Sequence, residues 1–405
     1  MATLSPTLEF VYSTLMSLIT DSAELAAFCD RLSEADFITV DTEFLRDKTY
    51  YPILCLVQLG GPDEAACIDV LAEGIDIAPV LALMKDPAVL KVFHAARQDF
   101  EIFFNLMGSV PAPVFDTQVS AMVCGFGDSV GYETLVSKLA RERVDKTMRF
   151  TDWQRRPLNA RQIEYALADV THLRVVYEKL RDRLEKNGRA DWVDAEMAAL
   201  CDPGLYQIDP FETWRRLKIR NAKPRTLAIL RELAAWREQE AQRRDVPRGR
   251  VLRDDGLVEI AIHTPKTRDD LGALRGLHGG QSGGASGAAI LDAVARGQAV
   301  PDADCPARPR GRDQQRGPGP SVDLLKVLIK LKAESAGVAQ RLIANSEAIE
   351  AISFDDDADV PALKGWRREL FGEDALALKH GRLALTSNGR KIRVIRLDGN
   401  EDNDA

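Results

Sequence analysis

The chain is poor in the features that mark several protein classes. Its six cysteines (Cys29, Cys55, Cys67, Cys124, Cys201 and Cys305) are scattered, and none stands in a Cys-x-x-Cys pair. Neither a zinc site nor a disulfide framework is indicated, and a reducing cytoplasm is the expected setting. No apolar run reaches the roughly 20 residues that a membrane-spanning helix requires, so no membrane association is expected. The opening LEFVYSTLMSLIT is mildly apolar but has no basic start and carries Glu9, which argues against a secretory leader. No Ser–His–Asp or Cys–His constellation is evident. Positive charge is not in excess either: 54 Lys and Arg stand against 62 Asp and Glu, a net of −8, which does not advertise a nucleic-acid binder.

What is present is a globular composition, 45% hydrophobic and 29% charged. At 405 residues the chain is long enough for two or three domains. The average charge hides a contrast. Between Phe211 and Arg253, thirteen Lys or Arg stand against five Asp or Glu, a local balance of +8. An acidic catalytic unit beside a basic docking surface fits this division.

From about Asp21 to Gly188 the pattern alternates helix and strand. SAELAAFCDRLSEA has helical spacing, with Asp21 or Ser22 as its cap. FITVDTEF, LCLVQLG and AACIDV read as a strand meander, VLKVFHA as a further strand and ARQDFEIFFNLMG as a helix closed by Gly108. A long helix begins after Pro157, capped by Asn159 with Gln162, and ends at Asn187-Gly188. The order predicts a mixed sheet flanked by helices over 16–195. Residues 1–15 read as a non-structural extension, with Met16 as an alternative start. A helical unit is predicted over 207–298, interrupted by the Gly-rich HGGQSGGASG. Residues 299–320, rich in Pro, Gly and Arg, read as a linker. A third unit over 321–397 ends in a hairpin signalled by Asn388-Gly389, and the acidic 398–405 reads as a disordered tail.

Three local signals carry possible chemistry. Asp41 and Glu43, two apart on a strand, project from one face, and adjacent carboxylates suit a hard cation such as Mg²⁺. Two solvated acids at a strand end are the plainer account. Asp99 opens a helix, where an acid is often simply a favourable charge at the N-terminus. Tyr165 and Asp169 are helix neighbours four apart, equally readable as a solvated pair. Asp116 in FDTQ looks like a helix cap, and Asp69 and Asp152 are less interpretable.

In order, DxE, then an Asp on a helix, then YxxxD, the signals match the DEDDy exonucleases. The words VDTEF, TYYPILCLVQL, VFHAARQDFEIF, FDTQ and DWQRRPLNARQIEYALADVTHL resemble ribonuclease D more narrowly, over residues 22–190. WRRLKIRNAKPRTLAILRELAAWREQEAQRRDVPRGRVL resembles an HRDC domain, and the last unit a second, degenerate one. The resemblance implies an α/β ribonuclease H-like exonuclease domain followed by two all-α HRDC-like domains. It implies 3′→5′ removal of nucleoside 5′-monophosphates from RNA, chiefly tRNA precursors with 3′ extensions and other small structured RNAs. It implies two divalent ions, Mg²⁺ or Mn²⁺, held by Asp41, Glu43, Asp99 and Asp169, with Tyr165 orienting the attacking water. A phenol of pKa near 10 is a poor base at neutral pH, so positioning suits it better.

Phe44 and Leu45 are candidates for wedging against the terminal base, and Gln58 and His94 for contacting sugar or phosphate; packing roles fit all four equally. Arg215, Arg216, Lys218, Arg220, Lys223 and Arg225, with Trp214 beside them, are candidates for docking the RNA body, or form a solvated helix surface. A monomer without an obligate protein partner is expected. A DNA 3′→5′ exonuclease and a catalytically idle RNA-binding scaffold are the competing readings. The second sits poorly with five occupied catalytic positions.

Overall fold

The structure is a computed structural model that describes residues 17–145, 147–220, 222–274, 283–306, 319–389 and 391–397. The N-terminal extension, the first half of the Gly-rich segment, the middle of the linker and the acidic tail lie outside the described residues; the second half of the Gly-rich segment begins a helix rather than a loop.

The first unit is a six-stranded mixed sheet. Its strands are β1 (Ser17–Ile19), β2 (Phe37–Leu45), β3 (Ile53–Gly60), β4 (Ala65–Ile68), β5 (Leu90–Phe93) and β6 (Val114–Asp116), in the order β1-β4-β3-β2-β5-β6. β2, β3 and β4 form the expected antiparallel meander, while β5 and β6 add in parallel. Helices α1 (Ser22–Leu32), α2 (Ala78–Lys85) and α3 (Arg97–Met107) cover one face. Asp21 is the α1 cap, accepting 2.9 Å bonds from the Ala23 and Glu24 amides. α4 (Thr117–Val123) and α5 (Tyr132–Leu135) follow β6.

The other face is crossed by the 28-residue α6 (Ala160–Asn187). Its start is fixed by the reciprocal capping box of Asn159 and Gln162. Gly60 lets α6 approach closely: a Cβ there would collide with the Thr39 hydroxyl and touch Val170. The Thr39 hydroxyl instead donates to the Val170 carbonyl at 2.8 Å. This contact sets the height of Asp169, one residue earlier, above the strand bearing Asp41.

The unit runs past residue 195. α7 (Ala190–Leu200) continues the chain, and Tyr206 packs into the sheet's core beside Phe100 and Phe104. The expected boundary therefore falls inside a helix, because the apolar residues after it complete the first core.

The second unit gathers Trp214, Leu217 and Ile219 with helices α8 (Pro224–Arg244), α9 (Arg248–Val251), α10 (Asp254–His263), α11 (Arg268–Gly272) and α12 (Gly284–Ala299). The start of the predicted linker belongs to it, since Asp302 pairs with Arg225 of α8. The third unit contains α13 (Pro320–Ala336), α14 (Gln340–Ile343), α15 (Ser346–Phe354), α16 (Gly365–Arg367) and α17 (Glu373–Lys379), and closes with the hairpin β7 (Leu383–Asn388) and β8 (Lys391–Arg396).

Both helical units dock on the first. The Tyr50 hydroxyl, in the β2–β3 loop, donates to the fully buried Glu238, which also takes two bonds from Arg248 at 2.5 and 2.6 Å. Asp245 accepts the Tyr50 and Tyr51 amides at 3.0 Å. On the other side Trp192 stacks on Trp366 at 4.1 Å, and the Arg189 guanidinium donates to the Ala336 carbonyl at 2.6 Å.

Candidate active site

Asp41 and Glu43 leave β2 on the same face, toward α6, as alternation requires. Asp169 descends from α6. One oxygen from each of these three carboxylates lies within 4.8 Å of the others, close enough to share a cation. Asp99 is brought up by α3 but lies outside that trio, and its carboxylate accepts the Thr42 hydroxyl. The acid expected as a fourth ligand is thus tied to the residue between the other two, while its charge still reaches Asp41 and Glu43. Tyr165, one helical turn before Asp169, donates its hydroxyl to that carboxylate.

The electrostatics follow from crowding like charges in a poorly solvated place. Burial, then the charge of Asp169, holds the Asp41 carboxyl well above the usual range. Burial, then Asp41, Asp169 and Asp99, pushes Glu43 up to about 10. Burial raises Asp169 to about 7, opposed by the Tyr165 hydrogen bond. Burial and Asp41 raise Asp99, opposed by the Thr42 hydroxyl. Burial and the surrounding carboxylates keep the Tyr165 phenol protonated. Such a cluster relaxes when a divalent cation enters, and its all-oxygen donors are those a hard cation takes.

The other expected contacts fare differently. Gln58 is fully buried and pairs across β2–β3 with Asp41; neither polar atom of its amide has a protein partner. It cannot touch sugar or phosphate, which corrects its assignment. His94 is half-buried, with Nδ1 at 3.0 Å from the Thr117 hydroxyl and its ring against Tyr132, and burial lowers its pKa. Phe44 and Leu45 are half-buried at a register shift opposite Cys55, and Leu45, like Tyr165, packs against the cluster of Cys55, Leu56, Trp153 and Leu167. A bulge of this kind re-aims side chains next to a site.

In the second unit Trp214 is a core residue, 3% exposed, and offers no stacking face. Arg225 is spent on the carbonyls of Gly297, Gln298 and Val300 and on Asp302, where it caps α12. Arg215 pairs with Glu212. Arg216, Lys218, Arg220 and Lys223 are exposed.

Supporting residues were missed from the sequence. The Tyr132 hydroxyl donates to the Asp169 carbonyl at 2.5 Å. Arg156 grips Asp69 through two bonds of 2.6 and 2.7 Å, pinning the loop before α6 to the end of β4. Asp116 is the cap its sequence suggests, accepting from Ala95, Ala96 and Gln118.

Comparison with known proteins gives this geometry its context. A 3′-5′ exonuclease family model matches residues 16–185, and an HRDC domain model matches 226–294. Ribonuclease D of Granulibacter bethesdensis is 53% identical over 380 residues, 94% of this chain and 96% of that one. Ribonuclease D of Nitrobacter hamburgensis is 53% identical over 382 residues, 94% of this chain and all of that one. The chain belongs to the ribonuclease D family. The crystal structure of Escherichia coli RNase D, an exoribonuclease involved in structured RNA processing, superposes with a TM-score of 0.76 at 30% identity, covering 91% of this chain and 99% of that one. The protein is accordingly a 3′→5′ exoribonuclease with an exonuclease domain and an HRDC domain, and its family implies dependence on divalent metal. Among the described residues no helix is long and apolar enough to cross a membrane.

Proposed function

We propose that this ribonuclease D family member hydrolyses RNA from the 3′ end by two-metal-ion catalysis, releasing nucleoside 5′-monophosphates. Its proposed substrates are tRNA precursors with 3′ extensions and other small structured RNAs. It is proposed to act as a monomer in the cytoplasm with Mg²⁺ or Mn²⁺. The observation that carries the reading is the trio of Asp41, Glu43 and Asp169, crowded within 4.8 Å and held above the usual carboxylate range.

Asp41, Glu43 and Asp169 would hold the ions, with Asp99 joining them by exchanging its Thr42 bond for metal or metal-bound water. Bound divalent ions supply an acidified water and charge relief at the departing 3′ oxygen. Tyr165 is assigned to orienting that water; its raised pKa rules it out as a base near neutrality. Tyr132 and the Thr39–Val170 contact hold the backbone that carries Asp169. Phe44 and Leu45, at the bulge after Glu43, are assigned to meet the terminal base. Arg216, Lys218, Arg220 and Lys223 remain as the exposed cations of the proposed docking surface.

The test is incubation of 3′- and 5′-labelled RNA with Mg²⁺ or Mn²⁺. Wild type is expected to release labelled mononucleotide from the 3′ end. Asp41→Ala should lose about a hundredfold or more, since loss of a mere outer-shell partner already costs about 10–100-fold. Tyr165→Phe should lower kcat more than KM. Undiminished activity in Asp41→Ala would overturn the site, and equal turnover of a matched DNA strand would replace RNA by DNA as the substrate class.

A further inference from the structure

The loop joining the turn at Val136–Ala140 to α6 presents an apolar side chain that nothing covers. Phe150 is 91% exposed, whereas the next most exposed large apolar residue among those described is Ile262 at 53%. Leaving a phenyl ring in water forgoes roughly 1.5–3 kcal/mol of burial. The ring is not on a loose strand. Asp145 accepts the Thr147 amide at 2.9 Å and its hydroxyl at 3.0 Å, and the Thr151 amide donates to the Met148 carbonyl at 3.1 Å. Gln162, in the first turn of α6, donates to the Thr151 hydroxyl at 3.2 Å. An ordered turn thus holds Phe150 outward.

The surroundings are cationic. Residues 141–161 contain seven Lys or Arg against three Asp or Glu, in a chain of net charge −8. Arg156 is consumed by Asp69. The Arg149 guanidinium lies 5.3 Å from the centroid of the Phe150 ring, covering one face and leaving the other open. Arg141, Arg143 and Arg155 are exposed, with no ion pair to any described residue. The patch adjoins the carboxylate site: Trp153, three residues on and so within about 11 Å of Phe150 along the chain, sets its ring 6.1 Å from that of Tyr165.

A lone exposed aromatic ring with one arginine against it, in a loop carrying further exposed arginines, suits a flexible polyanion that carries its own rings. A protein partner would be expected to meet a broader apolar patch. Single-stranded nucleic acid is held by this pairing of a stacking ring with backbone cations. We infer that Phe150, with Arg149 and Arg155, is a stacking post for an unpaired base of the RNA upstream of the 3′-terminal nucleotide, the arginines neutralising its phosphates. This rests on the RNA-hydrolysing reading of the site. The post would require the last few nucleotides to be unpaired before they reach the carboxylates.

The test compares wild type, Phe150→Ala, Phe150→Trp and Arg149→Gln in the full chain. Affinity for an unpaired RNA octamer is measured by fluorescence anisotropy in EDTA, and kcat/KM with Mg²⁺ on the octamer and on a dinucleotide. Stacking losses predict octamer binding roughly 5- to 100-fold weaker in Phe150→Ala, with the octamer-to-dinucleotide ratio of kcat/KM falling in step. Phe150→Trp should bind as well as wild type, and Arg149→Gln should flatten the dependence of log affinity on log salt by about 0.7. Octamer affinity within twofold of wild type in Phe150→Ala overturns the proposal, as does an equal loss on both substrates. A dimer that Phe150→Ala abolishes would assign the ring to a second copy and overturn it too. Phe150-dependent binding in a wild-type protein that cleaves neither substrate would leave the post standing and fail the catalytic reading instead.

Discussion

Loading metal into the carboxylate cluster should expel protons, and the structure says from where. Taken at 4.8 Å, the upper limit of the separations between oxygens of this trio, two carboxylate charges repel by about 3.5 kcal/mol at an effective dielectric of 20, equivalent to about 2.5 pK units per neighbour. Glu43 faces Asp41, Asp169 and Asp99 and is pushed up to about 10, so near pH 7.5 the metal-free protein keeps it neutral. Metal ligation requires the ionised form, so binding must release the Glu43 proton and that of any other ligand carboxylate that crowding keeps neutral, at least one in all. Isothermal titration of Mg²⁺ in Tris and in Hepes should therefore give enthalpies that differ by at least the difference between the two buffers' ionisation enthalpies. Apparent affinity should rise at least about tenfold per pH unit over the lower part of the window between about 6 and 9.

The same linkage governs stability. The folded value of Glu43 lies above its ordinary 4.5, so over the window from 4.5 to about 10 the native chain binds a proton that the unfolded chain has lost. Metal-free stability is then highest at the acid end of that window and falls as pH rises, by up to about 1.4 kcal/mol per unit for one group. Thermal melts of wild type in EDTA should decline by a few degrees per unit between pH 6 and 9 relative to Glu43→Gln, which carries the neutral form permanently. Saturating Mg²⁺ should remove the difference in slope by stabilising wild type. Equal enthalpies in the two buffers, or parallel melts of wild type and Glu43→Gln, would refute the crowding argument.

Other consequences follow from groups the site does not use. Gln58→Leu should leave stability unchanged or raise it by about 1 kcal/mol in chemical denaturation, because the amide makes no protein hydrogen bond; a loss above about 2 kcal/mol would mean the amide has a partner such as buried water. Arg225→Ala should lower the stability of the HRDC unit by about 1–2 kcal/mol through exposure of the α12 carbonyls, while RNA affinity stays put; a selective loss of affinity would return Arg225 to the docking surface. Tyr50→Phe should speed hydrogen exchange in the β2–β3 loop, since it removes the hydroxyl that Glu238, Gln242 and Arg248 share; unchanged exchange would deny the latch. Replacing Arg216, Lys218, Arg220 and Lys223 together by Gln should flatten the salt dependence of tRNA-precursor binding by about 0.7–0.9 for each phosphate no longer neutralised.

The sheet and the carboxylates were legible because periodicity and caps encode them locally. Alternation in FITVDTEF puts Asp41 and Glu43 on one side whatever the rest of the chain does, and the Asn159–Gln162 box fixes where α6 starts, hence which face carries Tyr165 and Asp169. What could not be read was the depth of each residue. Gln58 sits in the same alternation as any half-exposed strand residue, and only the crossing of α6, permitted by Gly60, closes over it. The DTE motif does hint at Thr42, since alternation sends the middle residue to the opposite side, but that Asp99 would arrive there depends on how α3 packs.

The basic segment shows the same limit more sharply, and it bears on where RNA meets this protein. Counting charge over Phe211–Arg253 gives a dense cluster, yet a count cannot separate a cation that faces solvent from one that satisfies a helix end. Trp214 anchors a core, Arg225 caps α12, Arg237 is buried against the Leu252 carbonyl and Asp254, and Arg248 neutralises the buried Glu238. Much of the +8 therefore holds the HRDC unit together and fastens it to the β2–β3 loop. The loop at 141–161 has a smaller excess, but its arginines are mostly unspent and its aromatic ring is open. Because phosphate binding draws on cations free to shed counterions, the short loop beside Tyr165 has a stronger physical claim on the single-stranded end of the substrate than the longer segment that looks more basic. The HRDC cations left exposed are then better suited to the body of the RNA.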